Sequence, residues 1–129
     1  MAYLPDHIDS LEKLTNYVLE SSKFKADAIH WRAFMPGSDG ERSVFRMDDV
    51  DHESVIELGR VFVGQPRNKP ILGWGRISAG TVREQLPLRV KADEPPPRHA
   101  VIDQWPPEVE QRRVLAMTLA SAAATIQLP

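Results

Sequence analysis

Ile8, Leu11, Leu14 and Val18 recur at spacings of three and four, which gathers them on one stripe of a helix. With Asp6 as its cap, the pattern predicts a first helix running to about Glu20. Around Ala28–Met35 the period becomes two. Ile29, Trp31 and Ala33 point one way, and His30, Arg32 and Phe34 the other. Pro36-Gly37-Ser38-Asp39-Gly40 is dense turn chemistry, and Ser43–Met47 resumes an extended pattern. Ala28–Met47 is therefore expected to form a β-hairpin.

Asp51 suits the N-cap of a second helix over about Glu53–Val63, with Glu53 in its first turn and Gly64 as its C-cap. Gln65–Pro70 reads as a loop, and Ile71–Ile77 as a strand in which Gly73 and Gly75 flank Trp74. Ser78–Thr81 reads as a turn or short helical turn. Leu88–Ala92 alternates as a half-buried strand, and Pro95-Pro96-Pro97 predicts a stiff polyproline II spacer. His99–Asp103 is the last strand expected. Pro106 or Pro107 starts a closing helix, with Leu115, Thr118, Leu119, Ala122 and Ile126 on one face. The sum is an α+β fold: about five mainly antiparallel strands covered by N-terminal, middle and C-terminal helices.

The length of 129 residues has room for one domain, 1–129, and the composition is 42% apolar and 26% charged. No run is long and apolar enough to span a bilayer, and the first residues lack the basic and apolar regions of a secretory signal. With no cysteine there is no disulfide scaffold and no thiolate chemistry. A cytoplasmic location and no membrane partner are expected.

Charge is segregated along the chain. Residues 39–57 hold seven acids against Arg42 and Arg46, a net −5. Residues 60–91 hold seven bases against Glu84, a net +6. Either the basic stretch faces an anionic partner, or the two segments lie side by side and neutralise each other. The sequence pI of about 6.1 lacks the footprint of a dedicated nucleic-acid binder. Trp74 beside Arg67, Lys69 and Arg76 is the candidate partner-binding surface, with Trp74 as an exposed anchor. Trp31 is expected in the core, and Trp105 as a staple on the last helix.

Two histidines begin or occupy predicted strands beside arginines: His30 with Arg32, and Arg98 with His99. By alternation Asp103 shares a face with His99. Were the two strands neighbours, this set could cleave a phosphodiester without metal. One histidine would act as base and the other as acid, arginine would stabilise the phosphate charge, and Asp103 would orient His99. A Ser-His-Asp set can also be drawn from Ser43 or Ser78, but neither serine has a GxSxG context, and the set is not adopted. The histidine spacing fits no metal motif. Asp48-Asp49-Val50-Asp51 lacks the features of a calcium loop, and no glycine pattern matches a nucleotide cradle. No cofactor is expected.

Pro96-Pro97-Arg98-His99-Ala100-Val101-Ile102, then Gln104-Trp105-Pro106 and an alanine-rich helix, resembles the C-terminal third of a group of small bacterial and phage-derived proteins. Trp31–Pro36 leading to Ser43–Arg46 is similar to the front half of the same group. No activity attaches to that resemblance. It implies a bacterial or phage-derived cytoplasmic protein.

The leading expectation is a non-enzymatic protein-interaction module of a multi-protein complex, binding a protein partner or a second copy of itself. The alternatives are a metal-independent ribonuclease or phosphodiesterase using the histidine pair, and a structural subunit of a phage or larger assembly.

Overall fold

The structure, a computed structural model, describes residues 4–129. Its frame is a six-stranded sheet in the order β6-β7-β4-β1-β5-β8. The strands are β1 (Lys13–Val18), β4 (Arg42–Arg46), β5 (Gly73–Ser78), β6 (Arg89–Ala92), β7 (His99–Asp103) and β8 (Ala124–Gln127). Every neighbouring pair is antiparallel. A small hairpin of β2 (Phe24–Lys25) and β3 (Ala28–Ile29) forms a second sheet. No helix among the described residues is long and apolar enough to cross a membrane.

Both faces of the large sheet are covered. On one side Leu14, Val18, Val44, Ile77, Val90, Ala100 and Ile102 pack with α3 (Ala79–Glu84), α4 (Val109–Ala122) and a 3-10 turn at Trp31–Phe34. On the other, Tyr17, Phe45, Met47 and Trp74 pack against Val55 of α1 (His52–Gly59). Asp51 caps α1 as expected, its carboxylate accepting from Ser54 N–H at 2.8 Å. Gly64 does not end the helix. The chain continues through a π-helical turn, Arg60–Gly64, into α2 (Gln65–Arg67), and stops at Asn68 in the left-handed region.

The predicted N-terminal helix is absent, and a central strand stands in its place. Because β1 lies between β4 and β5 with both faces covered, Leu14 to Val18 are all buried. A strand buried on both sides loses its period of two. Leu11, which the helical stripe would bury, is 83% exposed.

The expected Ala28–Met47 hairpin is also replaced. β3 pairs with β2, the chain turns into the 3-10 segment, and β4 pairs with β1 and β7. The three prolines make no polyproline II spacer, because the chain bends and turns over Pro95–Arg98. They form a tight β6–β7 connection in which Asp93 N–H bonds the His99 carbonyl and the Glu94 carboxylate accepts from Arg98 N–H at 2.8 Å. The end of the predicted closing helix becomes β8, so Ile126 pairs with Trp74 on β5 rather than lying along α4.

Candidate functional site

His99 and Ser43 meet on the α1 face of the sheet. In the β4–β7 register Ser43 lies opposite Val101 and His99 opposite Phe45, which makes Ser43 and His99 diagonal neighbours on one face. Ser43 Oγ is 2.5 Å from His99 Nε2. On the far side of the ring, Nδ1 lies 2.9 Å from the Asp93 carbonyl oxygen and 3.1 Å from its carboxylate. A carbonyl oxygen can only accept, so Nδ1 carries a proton. In the neutral ring, Nε2 is then the acceptor of the Ser43 hydroxyl. The chain thus holds a serine, a histidine in the tautomer of a general base, and an aspartate that orients it.

The sheet opens beside this serine. Arg46 N–H bonds the Arg98 carbonyl on the β7 side. Hydrogen-bonding direction alternates along an antiparallel strand, so Phe45 and Ser43 turn their peptide groups toward β1. Phe45 meets Thr15 there, but the β1–β4 pairing reaches no further. Ser43 therefore lies beyond the end of that pairing, opposite the position of Tyr17.

A cavity of about 200 Å³ occupies that place, with Tyr17, Ser43, Phe62, Val63 and His99 in its wall. Phe62 and Val63 come from the π-helical turn, a distortion common at functional sites. Tyr17 is fixed by its hydroxyl, which donates to the Val55 carbonyl at 2.6 Å, and burial raises its pKa. A second cavity of about 460 Å³ adjoins the first, sharing Tyr17, Arg42, Ser43, Val63 and Arg67, and is lined also by Glu20, Asp39 and Glu41.

The electrostatics of the smaller cavity are one-sided: Arg42 and Arg67 line it, and no carboxylate does. Neither guanidinium is ion-paired among the described residues. Arg42 Nε is shielded from solvent without a hydrogen-bond partner, and its Nη1 makes a long 3.4 Å bond to the Met35 carbonyl. Burial, then the charge of Arg67, lowers the Arg42 pKa, while Asp39 acts against them.

The other predicted site residues are placed elsewhere. His30 does not meet His99. It caps the 3-10 turn on the α4 side of the sheet, its Nδ1 accepting from Arg32 N–H at 3.1 Å, with its pKa lowered by burial and by Arg32. The Arg32 guanidinium stacks on Trp31 at 5.2 Å. Arg98 is tied to Asp49 at 2.7 Å and to the Arg46 carbonyl. Asp103 shares a face with His99 as expected but makes a two-point pair with Arg89, at 2.9 and 2.7 Å. Asp93, which the sequence reading passed over, takes the orienting position.

Trp74 is no exposed anchor. It is 4% exposed, with its ring against Tyr17 and His52. Much of the basic stretch is matched by acids: Arg76 with Asp48, Lys69 with Glu20, Arg60 with Glu57. Trp31 is half-buried against the core, and Trp105 donates its indole N–H to the Ile102 carbonyl. The large exposed apolar side chains of α4 are Val109, Val114 and Met117. Val114 and exposed Leu86 line a shallow apolar depression.

Among the described residues no cluster of three His, Asp or Glu side chains is placed to hold a metal ion. Comparison with protein-family models, curated proteins and solved structures finds no match.

Proposed function

We propose that the protein is a small binding domain whose cleft, between the open sheet and the π-helical turn, takes up an anionic oxygen group, a phosphate or a carboxylate. The observation that carries this reading is the unpartnered Nε of Arg42 beside Arg67 in the smaller cavity, whose wall holds no carboxylate, those of Glu20, Asp39 and Glu41 lying in the adjoining larger one. Leaving a shielded, charged donor unbonded is costly, and proteins rarely do it without a reason. An anion oxygen supplies the missing acceptor and relieves the repulsion between the two guanidinium groups. Guanidinium matches both carboxylate and phosphate with paired hydrogen bonds.

This keeps the partner-binding role expected for Arg67 but moves it from an open surface with Trp74 into the cleft. It also replaces the histidine-pair nuclease, since His30 and His99 lie on opposite faces of the sheet.

The test is an NMR titration with inorganic phosphate and, separately, succinate. Saturable movement of the Arg42 Nε–H signal and of the Ser43 amide is expected, weakened in Arg67→Gln. The two anions distinguish phosphate from carboxylate recognition. An Arg42 Nε–H signal that neither anion moves would overturn the reading.

A further inference from the structure

We infer that the cleft is also a hydrolytic site: Ser43 is a nucleophile toward a carboxylic ester that carries an anionic group. The activity rests on the Ser43–His99–Asp93 geometry, and the substrate class rests on the anion-binding reading above.

Three requirements of acyl transfer meet at one point. The nucleophile and base are in contact, Ser43 Oγ to His99 Nε2 at 2.5 Å. The base is held in the needed tautomer by two acceptors of one residue, the carbonyl and carboxylate of Asp93. The nucleophile's own peptide N–H is directed toward β1 past the Thr15–Phe45 end of the β1–β4 pairing, and Ser43 lines the cavity. A peptide N–H aimed at the reacting centre stabilises the oxyanion of a tetrahedral intermediate. Beside them, Arg42 and Arg67 line the same cavity and favour a substrate bearing a negative charge.

The steps balance as an ester hydrolysis. Ser43 Oγ bonds to the ester carbonyl carbon as its proton passes to His99 Nε2, and the carbonyl electrons move onto oxygen beside Ser43 N–H. The C–O bond to the alcohol then breaks, and His99 returns the proton to the departing oxygen. Water attacks the acyl-serine by the same route, His99 taking its proton and giving it to Ser43. Ester and water become acid and alcohol. Asp93 is a positioning residue throughout.

The first test uses the intact wild-type protein. Diisopropyl fluorophosphate should form one adduct, with a Ser43 O–P bond made, P–F broken and fluoride released. Mass spectrometry with peptide mapping should place it on Ser43. Ser43→Ala should remain unlabelled. His99→Gln should label slower by ~10²-fold or more, the scale of a lost general base. Asp93→Ala should slow labelling less, because the backbone carbonyl still holds His99 Nδ1.

Turnover is read with 4-nitrophenyl hydrogen succinate against 4-nitrophenyl butyrate, which differ at the end remote from the ester. The charged ester should be preferred, and Arg67→Gln should narrow the ratio. No adduct on Ser43, or equal labelling of wild type and His99→Gln, overturns the nucleophile. If phosphate moves Arg42 Nε–H while Ser43 stays unlabelled, catalysis falls and the anion cleft stands. Ser43 labelling without preference for the charged ester overturns the substrate class alone.

Discussion

Ser43 Oγ and His99 Nε2 lie 2.5 Å apart although 56 positions separate them in the chain. Strand order makes the contact. β7 returns beside β4 with Phe45 opposite His99, and the alternation of side chains then puts Ser43 on the same face one diagonal step away. The ring's other nitrogen is committed to Asp93, so the proton position on His99 is set from behind.

That proton position is measurable. Nitrogen-15 NMR of the neutral imidazole should show a protonated Nδ1 and a bare Nε2. Ser43→Ala should leave the pattern unchanged, because the Asp93 carbonyl still demands a donor. A dominant Nε2–H tautomer in the wild-type protein would mean that the Ser43 hydroxyl is not held by a basic nitrogen.

Trp74→Ala separates an exposed anchor from a core residue. At 4% exposure, with edge contacts to Tyr17, the indole belongs to the second core. Truncating a buried tryptophan costs about 3–5 kcal/mol. Urea unfolding should therefore show a loss of that size. A loss under ~0.5 kcal/mol, ordinary for a surface site, would contradict the packing.

Gly59 lets α1 lie close on the sheet, since a Cβ there would run into the Tyr17 ring. Gly59→Ala gains helix propensity, worth about 1 kcal/mol, yet forces the ring or the helix to move, at about 1–3 kcal/mol. The expected result is net destabilisation. Since Tyr17 also lines the cavity, the Ser43 amide signal should shift. An increase in stability would mean the helix stands further from the sheet.

The elements most legible in the sequence are those settled locally. Asp51 announces its helix through a cap, and His99–Asp103 through alternation bounded by prolines, so β7 falls where expected. Lys13–Val18 is misread because a strand covered on both faces loses its period, leaving Leu14 and Val18 at a chance helical spacing. Trp74 is misread because it lies between glycines beside the basic residues Arg67, Lys69 and Arg76, which suggest an exposed binding surface. In fact Gly75 leaves room for Ile29 on the opposite face. Of the site, His99 is visible as a histidine on a strand. Ser43 and Asp93 become its partners only through the order β7-β4-β1 and the closure of the β6–β7 connection, which are non-local facts that no short window contains.

The Asp51 cap predicts a pH dependence. Its carboxylate accepts from Ser54 N–H and hydroxyl, and these bonds hold its pKa below the ordinary aspartate value. A lowered folded pKa contributes stability that is complete above the unfolded value and lost as pH falls through the folded one. Asp51→Ala should therefore melt earlier than wild type at neutral pH. The gap should close in acid, once the wild-type carboxyl is protonated too. A gap constant down to pH values well below the aspartate range would assign the effect to something other than charge at the cap.

Arg46 and Glu12 give the test that reaches furthest into the fold. The Arg46 side chain is 3% exposed and Glu12 17%, and they make a two-point contact at 2.7 and 3.2 Å. Arg46 also donates to the carbonyls of Pro5 and His7, so one guanidinium ties the irregular N-terminal segment to β4. Removing one partner of a buried pair strands the other charge, at about 3–5 kcal/mol. Glu12→Ala should fall near the low end of that range, because the two carbonyls remain as acceptors. Arg46→Met should cost less, since it leaves behind the more exposed Glu12. Combining Arg46→Met with Glu12→Ala removes both charges, and its loss should be smaller than the two single losses added together. A double-mutant cycle in urea measures that difference. Strict additivity would mean that the contact contributes nothing, and that the N-terminal segment is held by Ile8 in the core rather than by the ion pair.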